Sequence, residues 1–88
     1  MDLGLTRFDL VGEAHPELLG RVVGLVAQLG LTPLRVSMRR IGDVTLLWLV
    51  QDDLDPHRAL IVAEKMRAIV PIIAVDLSFH PSIHEEPS

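Results

Sequence analysis

Leu34-Arg35-Val36-Ser37-Met38-Arg39-Arg40-Ile41-Gly42-Asp43-Val44-Thr45-Leu46-Leu47-Trp48-Leu49-Val50-Gln51 decides the fold. Leu34, Val36 and Met38 alternate with Arg35, Ser37 and Arg39. A period of two predicts a half-buried strand. Gly42-Asp43 interrupts the run as a turn. From Val44 to Gln51 a second strand is apolar on both faces, with Val44, Leu46, Trp48 and Val50 on one and Leu47 and Leu49 on the other. The stretch therefore predicts a hairpin.

On the upstream side, Leu18, Val22, Leu25, Val26 and Leu29 recur at helical spacing. Pro16 suits a first helical position, where a missing N–H is no loss. Gly30 suits the left-handed residue that ends a helix. Before them, Leu5 to Val11 predicts a strand, with Phe8 and Leu10 flanked by Arg7 and Asp9. On the downstream side, Asp55 can cap a second helix whose first residue is Pro56. Ala59, Val62, Ala63, Met66 and Val70 keep the helical period until Pro71. Ile73, Val75, Leu77 and Phe79 then alternate with Ile72, Ala74, Asp76 and Ser78 as a last strand. His80 to Ser88 reads as a frayed tail. The expected organisation is one domain over residues 1–79 and a flexible C-terminal tail over residues 80–88.

The order β-α-β-β-α-β places the chain in the α+β class. Right-handed crossovers fold both halves into one antiparallel sheet with two helices on one face, the ferredoxin-like arrangement. The other sheet face is left bare. Leu47 and Leu49 are expected there, beside Ile72 and Ala74, to be covered by another sheet or a partner helix.

Composition bounds the function. Eighty-eight residues allow one domain, and no cysteine is present to staple it. The hydrophobic share is 49% and the mean hydropathy is +0.37, which implies apolar surface reserved for a partner. The formal charge of −4 gives no electrostatic footprint for nucleic acid. Arg35, Arg39 and Arg40 make a basic stripe, but Phe8, Trp48 and Phe79 do not form the stacking pattern of an RNA-binding sheet. The longest apolar runs, Leu46 to Val50 and Ile69 to Val75, fall far short of the ~20 residues of a membrane helix. Met1-Asp2-Leu3-Gly4 lacks the basic start of a signal peptide. A soluble cytoplasmic chain without membrane or nucleic-acid partners is expected.

Catalytic chemistry is poorly supplied. Cys, Tyr and Asn are absent, and no serine sits in a nucleophile elbow. His80 and His84 are four residues apart, but Pro81 and Pro87 oppose a helix there, so no metal site is expected. Asp52, Asp53 and Asp55 resemble the start of a calcium loop, yet the position that needs glycine is Arg58. Gly20 and Gly24 form a G-x-x-x-G, read as a close approach of the helix to a neighbour.

Residues 10 to 77 resemble an ACT domain, a β-α-β-β-α-β regulatory module of amino-acid metabolism. Two segments carry the resemblance, and they are similar to the short type of small regulatory subunit of acetolactate (acetohydroxyacid) synthase. One is His15-Pro16-Glu17-Leu18-Leu19-Gly20-Arg21-Val22-Val23-Gly24-Leu25-Val26-Ala27-Gln28-Leu29-Gly30. The other is Lys65-Met66-Arg67-Ala68-Ile69-Val70-Pro71-Ile72-Ile73-Ala74-Val75. The resemblance implies an effector site at Ala14, His15, Pro16, Glu17, Leu18 and Thr32. Glu17 stands where valine-sensitive members have glycine, and Thr32 where they have asparagine. That departure resembles members that activate their partner without feedback by valine. The resemblance further implies a homodimer joined side by side through the second strand, Leu34 to Arg40, and the expected interface residues are Leu34, Val36, Met38, Leu47 and Leu49. It implies a non-catalytic subunit that activates a large catalytic subunit of acetolactate synthase in branched-chain amino-acid biosynthesis. Thiamine diphosphate, FAD and magnesium would belong to that catalytic partner, and no cofactor to this chain. The alternative expectation is a free-standing ACT-like homodimer that senses a small amino acid.

Overall fold

The computed structural model describes residues 4–80, which form β1 (Leu5–Glu13), α1 (Leu18–Gln28), β2 (Arg35–Ile41), β3 (Val44–Asp52), α2 (Pro56–Arg67) and β4 (Ile72–His80). The four strands make one sheet in the order β2-β3-β1-β4, and every neighbouring pair is antiparallel. The expected βαββαβ topology, with both helices on one face, is the one observed. His80 ends β4; the rest of the expected tail, His84 included, lies outside the described residues.

Register explains the core. Phe8 faces Leu49 and Leu77, while Leu10 faces Leu47 and Val75. Directly opposed side chains share a sheet face. That face meets Leu18, Val22 and Val26 of α1 and Ala59, Val62, Ala63 and Met66 of α2 in one cluster. Each fully buried Leu or Phe contributes roughly 1.5–3 kcal/mol.

Two expectations about the faces are corrected. Leu47 and Leu49 are 0% and 2% exposed and lie beneath the helices, not on the bare face. The bare face carries Leu46, Trp48 and Val50, half-buried, together with Val11 and the Arg7–Asp9 ion pair. A strand apolar on both sides does not itself say which side is inward. Its partner β1 does, because only Phe8 and Leu10 are apolar in the stretch from Arg7 to Leu10. Ile72 also packs on the core, because the register slips by one between Val11 and Gly12. Ala74 stays on the bare face, opposite Val11.

The second correction concerns β2. Val36 and Met38 face Leu49 and Leu47, so they point to the helix side. They are nevertheless 41% and 50% exposed, and Leu34 is exposed too. The helix layer does not cover this edge strand. The expected half-buried strand is uncovered within one chain.

The helix ends follow local chemistry. α1 begins at Leu18, two residues later than Pro16 suggests, and Pro16 and Glu17 form a turn closed by Leu18 N–H on the His15 carbonyl at 3.1 Å. Gly30 has φ 76°, Gly30 N–H donates to Ala27 O, and Leu31 N–H donates to Val26 O. That pair of bonds is a Schellman ending. Asp55 caps α2 by accepting from Arg58 N–H at 2.9 Å, with Pro56 first in the helix. Gly12 is required by close approach: a Cβ there would sit 3.1 Å from Leu18 Cδ2 and 3.2 Å from the Pro71 carbonyl. Gly20 and Gly24 behave differently. A Cβ at either would meet nothing within 4 Å, so their expected neighbour is not within the described chain.

Candidate functional site

The β1–α1 connection and the β2–β3 hairpin enclose a cleft of about 480 Å³, inside the roughly 300–1,000 Å³ range of small-molecule sites. It is lined by Ala14, His15 and Pro16 of the connection, Leu19 of α1, and Met38, Arg40, Asp43 and Thr45 of the hairpin. The connection is anchored at both margins. Ala14 N–H donates to the Asp43 carbonyl at 2.9 Å, and Glu13 N–H to the Pro71 carbonyl at 3.1 Å.

The polar groups are oriented by local bonds. Glu17 N–H donates to His15 Nδ1 at 3.1 Å. With Nδ1 accepting, the neutral ring carries its proton on Nε2, which is left to donate. Arg40 Nε–H donates to the Gly42 carbonyl at 3.0 Å, and its two Nη groups have no partner among the described residues. The Asp43 carboxylate has no ion-pair partner among the described residues. The residues lining the cleft thus include two basic side chains, Arg40 and His15, one acidic side chain, Asp43, and the apolar Leu19 and Met38.

The residues implied by resemblance divide. Ala14, His15 and Pro16 line the cleft. Leu18 is buried in the core under Gly12. The Glu17 carboxylate pairs with Arg21 one turn along α1 at 2.7 Å and is not part of the cleft wall. Thr32 is exposed in the α1–β2 connection. Of the proposed interface residues, Leu34, Val36 and Met38 are exposed along β2, whereas Leu47 and Leu49 are core. Leu19, Arg40, Asp43 and Thr45 escape sequence reasoning. The available signal is the hairpin register, which sets Arg40 opposite Thr45 on the helix side.

Among the described residues no cluster of His, Asp and Glu is arranged to hold a metal ion, and no helix is long and apolar enough to cross a membrane.

Fold and cleft together define a βαββαβ module with a cleft of small-molecule size beside an uncovered edge strand. The family comparison agrees. Residues 2–84 match the ACT-like domain family, and the chain belongs to it. No curated protein matches it in sequence. Among solved structures, the ACT domain from GTP pyrophosphokinase of Chlorobium tepidum superposes with a TM-score of 0.77 at 13% identity, over 89% of this chain and 100% of that one. An uncharacterized protein from Thermotoga maritima gives 0.70 at 14% identity, over 86% and 95%. The C-terminal domain of the MgtC protein from Mycobacterium tuberculosis gives 0.65 at 15% identity, over 90% and 89%. At these identities the likeness is one of fold. ACT-like domains are typically regulatory or ligand-binding modules rather than catalytic ones.

Proposed function

We propose that this chain is a non-catalytic regulatory module that binds a small α-amino acid in the cleft between Ala14–Pro16 and the β2–β3 hairpin. The observation that carries this is the pairing of unlike charges in one cleft. Arg40 and the His15 Nε2–H suit a carboxylate, Asp43 suits an ammonium, and Leu19 and Met38 suit an apolar side chain. A zwitterion satisfies all three, whereas a simple anion leaves Asp43 opposed by like charge. In the same proposal a second copy pairs along β2. Leu34, Val36 and Met38 are exposed on that edge, and Met38 also lines the cleft, so dimerisation and effector binding share a residue.

Thermal shift of the full chain against the twenty amino acids tests the effector. A bound ligand stabilises by RT ln(1 + [L]/Kd), about 2.7 kcal/mol at a hundredfold excess over Kd. In a domain this small that raises Tm by roughly 4–8 °C per kcal/mol. Arg40→Gln should lower affinity at least tenfold without changing the unliganded Tm. No shift with any amino acid overturns the reading.

The regulated enzyme is proposed from the resemblance of residues 15–30 and 65–75 to small subunits of acetolactate synthase. Such a subunit works by binding one state of its catalytic partner more tightly than the other. Acetolactate synthase activity of a large subunit, with and without this chain and with valine titrated in, tests that partner. No activation and no complex removes acetolactate synthase and leaves the free-standing amino-acid sensor.

A further inference from the structure

The sheet face turned away from the helices has an apolar middle and charged margins of opposite sign. Val11, Leu46, Trp48 and Val50 form the middle and are half-buried. Ile41 and Val44 prolong it at the hairpin end, 55% and 37% exposed. The Arg7–Asp9 pair beside them, at 2.7 Å, neutralises itself. One margin is β2, which contributes Arg35 and Arg39. The other is β4, which contributes Asp76. All three residues are exposed, and none has an ion-pair partner among the described residues. Asp76 also stands directly opposite Asp9, and like charges so placed are destabilising.

An apolar patch with a polar rim marks an interaction surface, and the order of the rim decides what fits it. Two copies of this face can meet about a twofold axis lying between the sheets, in either of two directions. An axis across the strands lays β2 on β2 and β4 on β4. Arginines then oppose arginines, and Asp76 opposes Asp76. An axis along the strands lays β2 on β4 instead. The register runs Ser37, Trp48, Asp9, Asp76 straight across the sheet. Asp76 of one copy is therefore level with Ser37 of the other, midway between Arg35 and Arg39. The same axis lays β3 on β1, so the apolar middles cover each other at the roughly 10 Å spacing of packed sheets.

We infer that this face binds the same face of a second copy, about a twofold axis that runs along the strands. Each contact occurs twice, because a twofold interface is self-complementary. Pairing along β2 extends the sheet sideways and leaves this face open, so the two contacts are separate. The inference rests neither on that pairing nor on the amino-acid reading.

Trp48 is the one tryptophan of the chain and sits in the middle of the face. As the wild-type chain is diluted through its dissociation range, followed by sedimentation, Trp48 emission should move to longer wavelength as the face is uncovered. Arg39→Asp and Asp76→Arg should each raise the dissociation constant at least tenfold. The double variant Arg39→Asp/Asp76→Arg should restore association, because it exchanges the margins without changing their match. Emission that does not change while dimers dissociate overturns the inference and leaves the face to a different protein. A chain that is monomeric at every concentration overturns it as well, as do single reversals that leave the dissociation constant unchanged. The wild-type dilution stands by itself if a variant folds poorly.

Discussion

β2 and β3 are two halves of one hairpin, and their inward residues face each other directly: Met38 opposite Leu47, Val36 opposite Leu49. The β3 members are among the most buried residues of the molecule, and the β2 members are exposed. All four share one sheet face, so direction alone does not decide burial. The helix layer does, and it ends over β3. Two neighbouring strands of similar apolar pattern thus have different roles. One builds the core of the domain, and the other is left uncovered by its helices. The cleft lies at one end of this boundary, lined by both Leu19 and Met38.

The sharpest way to break the comparison is to put the same charge on both strands. Leu49→Asp buries an unpaired carboxylate, and even Leu49→Ala should lower stability by about 2–5 kcal/mol. Against a total of roughly 5–15 kcal/mol for a domain, the aspartate variant should show no cooperative urea transition by circular dichroism. Met38→Asp should behave oppositely. Its side chain meets solvent, so monomer stability should change by less than about 0.5 kcal/mol. In sedimentation, dimer dissociation should rise at least tenfold. If Leu49→Asp folds normally, the face assignment of β3 is wrong. If Met38→Asp leaves association untouched, the proposed dimer does not use this edge.

The hairpin also marks how far the sequence could be read. Element order was legible because the helical and two-residue periods are each carried by several residues, and because Asp55-Pro56 and Gly30 punctuate the helices. The facing of β3 was not legible from β3, since Leu46, Trp48 and Val50 are as apolar as Leu47 and Leu49. It needed the register to Phe8 and Leu10, which is long-range information. The exposure of β2 was hidden for a related reason. A period of two reports that one face is apolar, whether the chain's own helices cover it or another surface does. In the candidate site, Ala14, His15 and Pro16 were found because they are contiguous. Arg40, Asp43 and Thr45 come from the β2–β3 hairpin, distant in sequence, and only the pairing of β3 with β1 brings them there.

The smallest predicted effect concerns α1, which repeats the contrast on its own surface. Val22 and Val26 are buried, while Gly20 and Gly24 face open space beside Arg21, Gln28 and Val70. Glycine inside a helix is less favourable than alanine by about 1 kcal/mol, and nothing within the described chain offsets that at either position. Gly20→Ala and Gly24→Ala should therefore each stabilise the isolated chain by about 0.5–1 kcal/mol, seen as a Tm higher by several degrees. The sign carries the information. A rise in Tm at unchanged oligomeric state means that this side of α1 is free, as the geometry has it. A fall, or a rise accompanied by loss of association, means that another surface approaches the helix as closely as Leu18 approaches Gly12. In that case β2 is not the only edge that the fold leaves to be completed from outside.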